Sequence, residues 1–148
     1  MTFFTSEFEC KIDAKGRLVL PAKIKSTLPE SSGNELVIRK GFEPCLILYP
    51  MIEFKKLHSK IAGLNEFNPE YRKIQRQFFS GSSVVELDNT GRFLIPKPMM
   101  SHAKLGKDAV VVGMGNKVEI WDPAMYKEHV GDDPAEFSAL AQKYLDGQ

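Results

Sequence analysis

Residues 10–23 read CKIDAKGRLVLPAK, and residues 85–98 read VELDNTGRFLIPKP. The two stretches align at an offset of 75 with four identities: Asp13/Asp88, Gly16/Gly91, Arg17/Arg92 and Pro21/Pro96. Ile12/Leu87, Val19/Leu94 and Leu20/Ile95 match in character. A second correspondence follows in the same order at an offset of 73, CLILYP at 45–50 against VEIWDP at 118–123. Ordered matches of this kind describe a duplicated unit of about 45 residues. Each copy runs strand, D-x-x-G-R turn, strand, proline, short helix, strand, turn, strand.

Local chemistry accounts for each element. Asp at the first position and Gly at the fourth suit a type I turn, with glycine taking the positive-φ position that closes a hairpin. Before the first turn, Phe8, Cys10 and Ile12 alternate with Glu7, Glu9 and Lys11, the period-2 mark of a half-buried strand. After it, Leu18, Val19 and Leu20 form a continuous apolar run, which predicts a more deeply buried strand. Pro21 and Pro96 stop the ladder and suit a helix start, so KIKSTL at 23–28 and MMSHAKL at 99–105 are the expected short helices. LVIRK, GFEP and CLILY make a second hairpin in unit one, and AVVVG, GMGN and KVEIW make its counterpart in unit two. A unit of four short strands cannot cover its own apolar faces. Two copies can pair and close a small barrel, which removes exposed strand edges.

Two helical segments complete the chain. Phe54, Leu57, Ile61 and Leu64 fall at helical spacing, Asn68-Pro69 interrupts, and Tyr71, Ile74 and Phe78 continue the pattern. Asp133-Pro134-Ala135-Glu136 resembles a capping box, followed by a stripe of Phe137, Leu140, Ala141 and Tyr144. Such stripes are read as core or subunit contacts. The expected organisation is unit one over 5–52, a helical insertion over 53–80, unit two over 81–125 and a C-terminal helical segment over 126–148.

Composition bounds the function. A chain of 148 residues, 43% of them hydrophobic, has the size and apolar content of a folded domain, which excludes a disordered or low-complexity reading. No apolar run approaches the ~20 residues of a membrane span. Glu7 and Glu9 near the start argue against a signal peptide. Cys10 and Cys45 stand apart without CxxC spacing, as reduced cysteines of a cytosolic protein do. The net charge of +1 hides an asymmetry. Residues 1–107 hold 17 Lys and Arg against 11 Asp and Glu, a balance of +6, whereas residues 108–148 hold 3 against 8, a balance of −5. A basic body with an acidic end suits a polyanion partner better than the total suggests.

Enzyme chemistry has little to stand on. His58, His102 and His129 are scattered, and no metal-ligand spacing or G-x-S-x-G elbow occurs. Gly113-Met114-Gly115 begins like a dinucleotide fingerprint, but Val118 occupies the third glycine position, so the segment reads as a hairpin turn. Gly81-Ser82 could serve a self-processing barrel decarboxylase, but it is read as a small-residue linker before the second unit. Neither a metal nor a cofactor is expected.

What recurs is a hairpin tip carrying one acid and one arginine. Asp13 can accept hydrogen bonds from turn amides or from Arg17 and so pre-organise the guanidinium. Lys11, Lys15, Arg17, Lys23 and Lys25 cluster within 15 residues around the first turn. Such a surface can contact phosphates, and arginine can also address guanine edges. The second turn, DNTGR, has Thr90 in place of Lys15 and fewer basic neighbours, so the first copy is expected to face DNA and the second to be chiefly structural. Candidate DNA-binding residues are Arg17, Lys15, Lys11, Lys23 and Arg92; candidate turn organisers are Asp13, Gly16, Asp88 and Gly91.

Taken together, DAKGRLVLP at 13–21, CLILYP at 45–50, NPEYRKIQRQFFSG at 68–81, DNTGRFLIP at 88–96 and VEIWDP at 118–123 resemble the MraZ family, whose members carry two SpoVT-AbrB-type units. Phe54 stands where members often have tryptophan, and Ser82-Ser83 follow Gly81 in place of a common alanine. The resemblance implies an α+β, mainly β fold with a double-psi-type barrel built from the two units. It also implies a bacterial cytoplasmic, nucleoid-associated, DNA-binding transcriptional regulator of its own division and cell-wall gene cluster. Such proteins usually repress, assemble as ring-shaped homo-oligomers and bind short direct repeats of double-stranded DNA in the promoter. The resemblance assigns function to Asp13 and Arg17, with Asp88 and Arg92 as counterparts; Lys15 is added from its place at the hairpin tip. A membrane or a small-molecule substrate is not an expected partner. The alternatives are an antitoxin-like interaction module and the self-processing enzyme.

Overall fold

The alternation at the start of the chain produces an edge strand. In the computed structural model, which describes residues 3–30 and 33–146, β1 (Glu7–Lys11) holds Phe8 and Cys10 half-buried while Glu7, Glu9 and Lys11 face out. Residues 31–32 of unit one and 147–148 of the C-terminal segment lie outside the described residues. After the first D-x-x-G-R turn come β2 (Arg17–Val19), α1 (Ala22–Thr27), β3 (Glu35–Lys40), β4 (Leu46–Pro50), α2 (Met51–Ala62) and α3 (Pro69–Ser80). The second half repeats the order with β5 (Ser82–Glu86), β6 (Arg92–Leu94), α4 (Lys97–His102), β7 (Asp108–Gly113), β8 (Val118–Trp121), α5 (Pro123–Val130) and α6 (Pro134–Leu145).

Helix boundaries follow capping chemistry. Pro21 and Pro96 are N-cap residues in extended backbone, where a missing N–H costs nothing. Asn68, Asp122 and Asp133 cap α3, α5 and α6, each accepting from amides of the first turn, with a proline directly behind. Two boundaries correct the sequence reading. The second short helix begins at Lys97 rather than Met99, because Pro96 caps it. Helix α5 was not anticipated, although Asp122-Pro123 is the same cap-and-proline start as Asn68-Pro69. The helices after β8 therefore correspond in place to the helices after β4.

The halves are interwoven. One six-stranded antiparallel sheet runs β1-β7-β8-β4-β3-β5, and β2 and β6 pair with each other as a separate two-stranded ribbon. Each half's first strand pairs with the other half's third: Phe8 faces Val111 in one case and Ser83 faces Ile38 in the other. The sequence offsets of 75 and 73 relate the two pairings, so a two-fold relation runs through the molecule between β4 and β8. Each edge strand leads through its turn into the ribbon, and Ile12 bridges Leu18 across the first turn.

The ribbon and the sheet enclose the main core. Leu18 and Phe93, opposite each other on the ribbon's inner face, pack with Leu20, Ile95, Leu36, Ile38, Leu46, Val111 and Ile120. Ile24 of α1 and its counterpart Met99 of α4 are buried in the same cluster. The other face of the sheet carries a second cluster of Cys45, Ile47, Tyr49 and Trp121, covered by Phe54 and Leu57 of α2 and by Met125 and Tyr126 of α5. Phe78 of α3 stacks on Phe54 with ring centroids 5.7 Å apart. The ribbon and helices α2 and α5 therefore lie on opposite sides of the sheet. Among the described residues, no helix is long and apolar enough to cross a membrane.

One packing expectation is corrected. Val19 does not continue a buried run: it is 49% exposed between fully buried Leu18 and nearly buried Leu20, and Leu94 is 56% exposed in the second copy. A two-stranded ribbon laid on a sheet has one covered face, so its side chains alternate even where the sequence is apolar throughout.

Candidate nucleic-acid interface

Each D-x-x-G-R turn is organised by its aspartate. In the first, the Gly16 amide donates to the Asp13 carbonyl at 3.0 Å and the Asp13 amide donates to the Arg17 carbonyl at 2.9 Å. The Asp13 carboxylate accepts the Lys15 and Arg17 amides through Oδ1, both at 2.9 Å, and Arg17 Nε through Oδ2 at 2.7 Å. The second turn repeats this: Asp88 Oδ1 accepts the Thr90 and Arg92 amides at 2.9 Å, and Oδ2 accepts Arg92 Nε at 2.8 Å. Thr90 adds its hydroxyl to Asp88 Oδ1 at 2.9 Å. Gly16 and Gly91 have φ of 87° and 78°, the left-handed backbone in which a Cβ is strained.

These hydrogen bonds set the charge state. The backbone N–H of Arg17, followed by its guanidinium and the Lys15 amide, holds the Asp13 carboxyl below its ordinary value despite some desolvation. Asp88 is lowered more strongly, by the Arg92 amide first and with the Thr90 hydroxyl and amide among the further causes. Both carboxylates are therefore ionised throughout the neutral range, opposite ionised arginines.

The two tips are locked together. The Leu20 amide donates to the Gly91 carbonyl at 3.0 Å and the Ile95 amide to the Gly16 carbonyl at 2.9 Å, so each turn is hydrogen-bonded by the other unit. The ribbon register pairs Arg17 with Leu94, Leu18 with Phe93 and Val19 with Arg92. Side chains directly opposite share a face. Because Leu18 and Phe93 point inward, Arg17, Val19, Arg92 and Leu94 all point outward. The arginine side chains are 32% and 33% exposed, which leaves each guanidinium open to a ligand. The ion pairs use Nε only, so among the described residues the terminal NH2 groups of Arg17 and Arg92 are unpartnered.

The candidate lysines divide. Lys15 is exposed at the first tip and Lys23 is exposed on α1. Lys25, also on α1, reaches the second turn: a Cβ on Gly91 would lie 3.3 Å from its Cδ and 3.4 Å from its Nζ. The second turn thus draws from the other unit the positive charge that its own neighbours lack. Sequence spacing alone had left Lys25 with the first turn. Lys11 is on β1, ion-paired with Asp108 and on the same strand face as Glu7 and Glu9, and it lines one hollow with Val19 of the ribbon.

The remaining reactive groups are internally occupied. His102 Nε2 lies 3.1 Å from the carbonyls of Gly41 and Glu43, and His129 Nδ1 lies 3.0 Å from the Met125 carbonyl. The His58 ring packs against Phe54 and Phe79. Ser82 donates its hydroxyl to the Phe78 carbonyl at 2.7 Å. Burial pushes the Cys45 thiol up to about 12 and raises Cys10 as well, and both cysteines are free. Gly113 to Lys117 form the turn between β7 and β8, where the Met114 amide donates to the Lys117 carbonyl. Among the described residues, no group of three or more His, Cys, Asp or Glu could hold a metal ion.

Comparison with known proteins agrees with the duplicated architecture. A family model described as "MraZ protein, putative antitoxin-like" matches the chain twice, over residues 3–77 and 78–146. The chain is 56% identical over 145 residues to a protein of Cytophaga hutchinsonii named transcriptional regulator MraZ, covering 98% of this chain and 96% of that protein. A protein of the same name from Heliobacterium modesticaldum is 37% identical over 143 residues, covering 97% of each chain. One from Flavobacterium psychrophilum is 36% identical over 146 residues, covering 98% of this chain and 93% of that protein. Two family matches that together span nearly all the chain, on a fold whose halves exchange strands around paired D-x-x-G-R turns, establish that this chain belongs to the MraZ family.

Proposed function

We propose that this chain is a transcriptional regulator that binds double-stranded DNA through the outward face of the β2–β6 ribbon and represses its own division and cell-wall gene cluster. The observation that carries this reading is the placement of Arg17 and Arg92 on one exposed face, each oriented through Nε with its terminal NH2 groups free. The names of the relatives support it. A two-stranded ribbon fits the major groove, and a guanidinium can donate two hydrogen bonds to guanine O6 and N7. Lys15, Lys23 and Lys25 supply phosphate contacts around the arginines, with Lys11 further out on β1. Asp13, Gly16, Asp88 and Gly91 organise the turns. Both turns contribute, because the second presents its arginine in the same geometry as the first.

The finer fold in this reading is a double-psi-type barrel formed by units 5–52 and 81–125, with segments 53–80 and 126–148 following each. The protein acts without catalysis, cofactor or metal, in the cytoplasm and at the nucleoid. One ribbon makes few phosphate contacts and binds weakly. A ring of copies presents several ribbons at fixed spacing, and each further engagement is intramolecular. Direct repeats about one helical turn apart suit such an array. The exposed stripe of α6 (Phe137, Leu140 and Tyr144, all outside the core) supplies an apolar surface for the subunit contact. The test is a footprint of the wild-type protein on the DNA upstream of its own gene. Protection at evenly spaced direct repeats is expected. Absence of any protected site there would overturn the reading in favour of a protein-binding module.

A further inference from the structure

Helices α3 and α6 hold corresponding places in the two halves and begin alike, at Asn68-Pro69 and Asp133-Pro134. Their packing differs. In α3, Phe78 stacks on Phe54 of α2, and the Gln75 side-chain amide donates to the Ile61 and Leu64 carbonyls at 3.0 and 3.3 Å. Helices α2 and α3 thereby form a fixed hairpin. In α6, every residue except Ala141 is exposed. The reason lies in the preceding helix. Helix α5 ends after 8 residues where α2 runs for 12, because Gly131 leaves the helix with φ of 69°. It is too short to offer α6 the flank that α2 offers α3. The stripe of Phe137, Leu140, Ala141 and Tyr144 is thus left uncovered, and Asp133 and Glu136 border it at its start.

A surface of complementary chemistry lies on the α2–α3 hairpin. A hollow of about 520 Å³ there is lined by Ala62, Glu66, Arg72, Gln75, Arg76 and Phe79. Arg72, Arg76 and Phe79 fall at i, i+4 and i+7, so both guanidiniums share a helix face with an exposed phenyl ring. Arg72 Nη1 donates to the Glu66 carbonyl at 2.8 Å, which orients it, and neither arginine has an ion-pair partner among the described residues. The charges oppose. Residues 51–80 hold 6 Lys and Arg against 3 Asp and Glu, a balance of +3, whereas residues 132–146 hold 1 against 4, a balance of −3. Two α6 helices from different copies carry like charge, whereas α6 and the hairpin attract. We infer that α6 of one copy seats in the α2–α3 hollow of a second copy, with its apolar stripe on Phe79 and Ala62 and its acids beside Arg72 and Arg76. An arginine also packs well on an aromatic ring such as Phe137 or Tyr144. The donating and receiving surfaces are different parts of the chain, so the contact is head-to-tail and each copy gives one helix and accepts another. This rests on the reading above that the α6 stripe carries the subunit contact, and it adds the surface that receives that stripe.

The test mixes two broken copies, with mass read by light scattering coupled to size exclusion and folding by melting curves. The donor-broken chain carries Phe137→Asp and Leu140→Asp, and the acceptor-broken chain carries Arg72→Glu and Arg76→Glu. Each alone should fall to a monomer. Mixed in equal amounts, they should give a species of twice the monomer mass that grows no further, because one intact helix meets one intact hollow. A wild type that is itself a monomer, or a donor-broken chain of unchanged mass, overturns both the α6 reading and this inference. A folded acceptor-broken chain that keeps the wild-type mass overturns the inference alone, and so does a mixture that stays monomeric. If the acceptor-broken chain does not fold, the exposed substitutions Arg76→Glu and Glu136→Arg take its place. Either alone should shift dissociation to about tenfold higher protein concentration, and the two in one chain should restore the wild-type value. Single variants that dissociate like wild type, or a combined variant that is not restored, overturn the inference.

Discussion

Asp13 and Asp88 each spend three or more hydrogen bonds on a hairpin tip that remains in solvent. Exposed ion pairs contribute little to stability, so holding the guanidinium in one orientation is the better account of the Asp–Arg pairs. The amide contacts have a separate consequence, because they stabilise the ionised carboxylate and hence the turn. Folded-state values for both acids lie below the unfolded one, so this stabilisation is complete above the ordinary aspartate range and is lost as pH falls through the depressed values. Asp88→Ala should therefore lower the thermal midpoint by a few degrees at pH 7, and the difference from wild type should shrink steadily below about pH 4. Melting curves from pH 7 to the acid limit check this. A midpoint difference that stays constant with pH would show that the carboxylate charge does not stabilise the turn.

At the scale of elements, the ribbon and α6 separate what sequence patterns carry from what they do not. Alternation in β1, the positive-φ glycines of both turns, the break at Asn68-Pro69 and the Asp133 cap were legible because each is a local rule expressed by adjacent residues. Val19 departs from its expected burial because the run Leu18-Val19-Leu20 has no alternation of its own. Its two faces differ only because the sheet covers one of them. Lys25 was assigned to the wrong turn for a related reason: it is near the first in sequence and near the second through strand exchange, which no local spacing reports. The α6 stripe was legible as an amphipathic pattern, and the structure leaves Phe137 75% and Tyr144 61% exposed. Since that face lies outside the buried core, Phe137→Asp with Leu140→Asp should reduce the proposed assembly to a smaller species while leaving the thermal midpoint within a few degrees of wild type. Light scattering coupled to size exclusion measures the mass. An unchanged mass would move the subunit contact elsewhere.

Across the whole molecule, duplication and strand exchange explain how a chain of net charge +1 can place two arginines on one exposed face, the surface proposed to bind DNA. The first strand of each half completes the other half's sheet, and the ribbon between the sheet edges brings both arginines to one face. Arg17 and Arg92 thereby share the ribbon's outward face, with Lys15 at the first tip and Lys25 beside the second, while helices α2 and α5 cover the far side of the sheet. The central claim is that the paired arginines of the ribbon form the DNA contact. It is tested most directly by titrating the upstream DNA fragment with wild type, Arg17→Ala, Arg92→Ala and the double variant, with mass and melting curves measured in parallel. Each single variant should lose about tenfold or more in affinity, and the double variant should lose still more. Assembly and thermal midpoint should stay near those of the wild type. A double variant that binds the fragment as tightly as wild type would contradict the account.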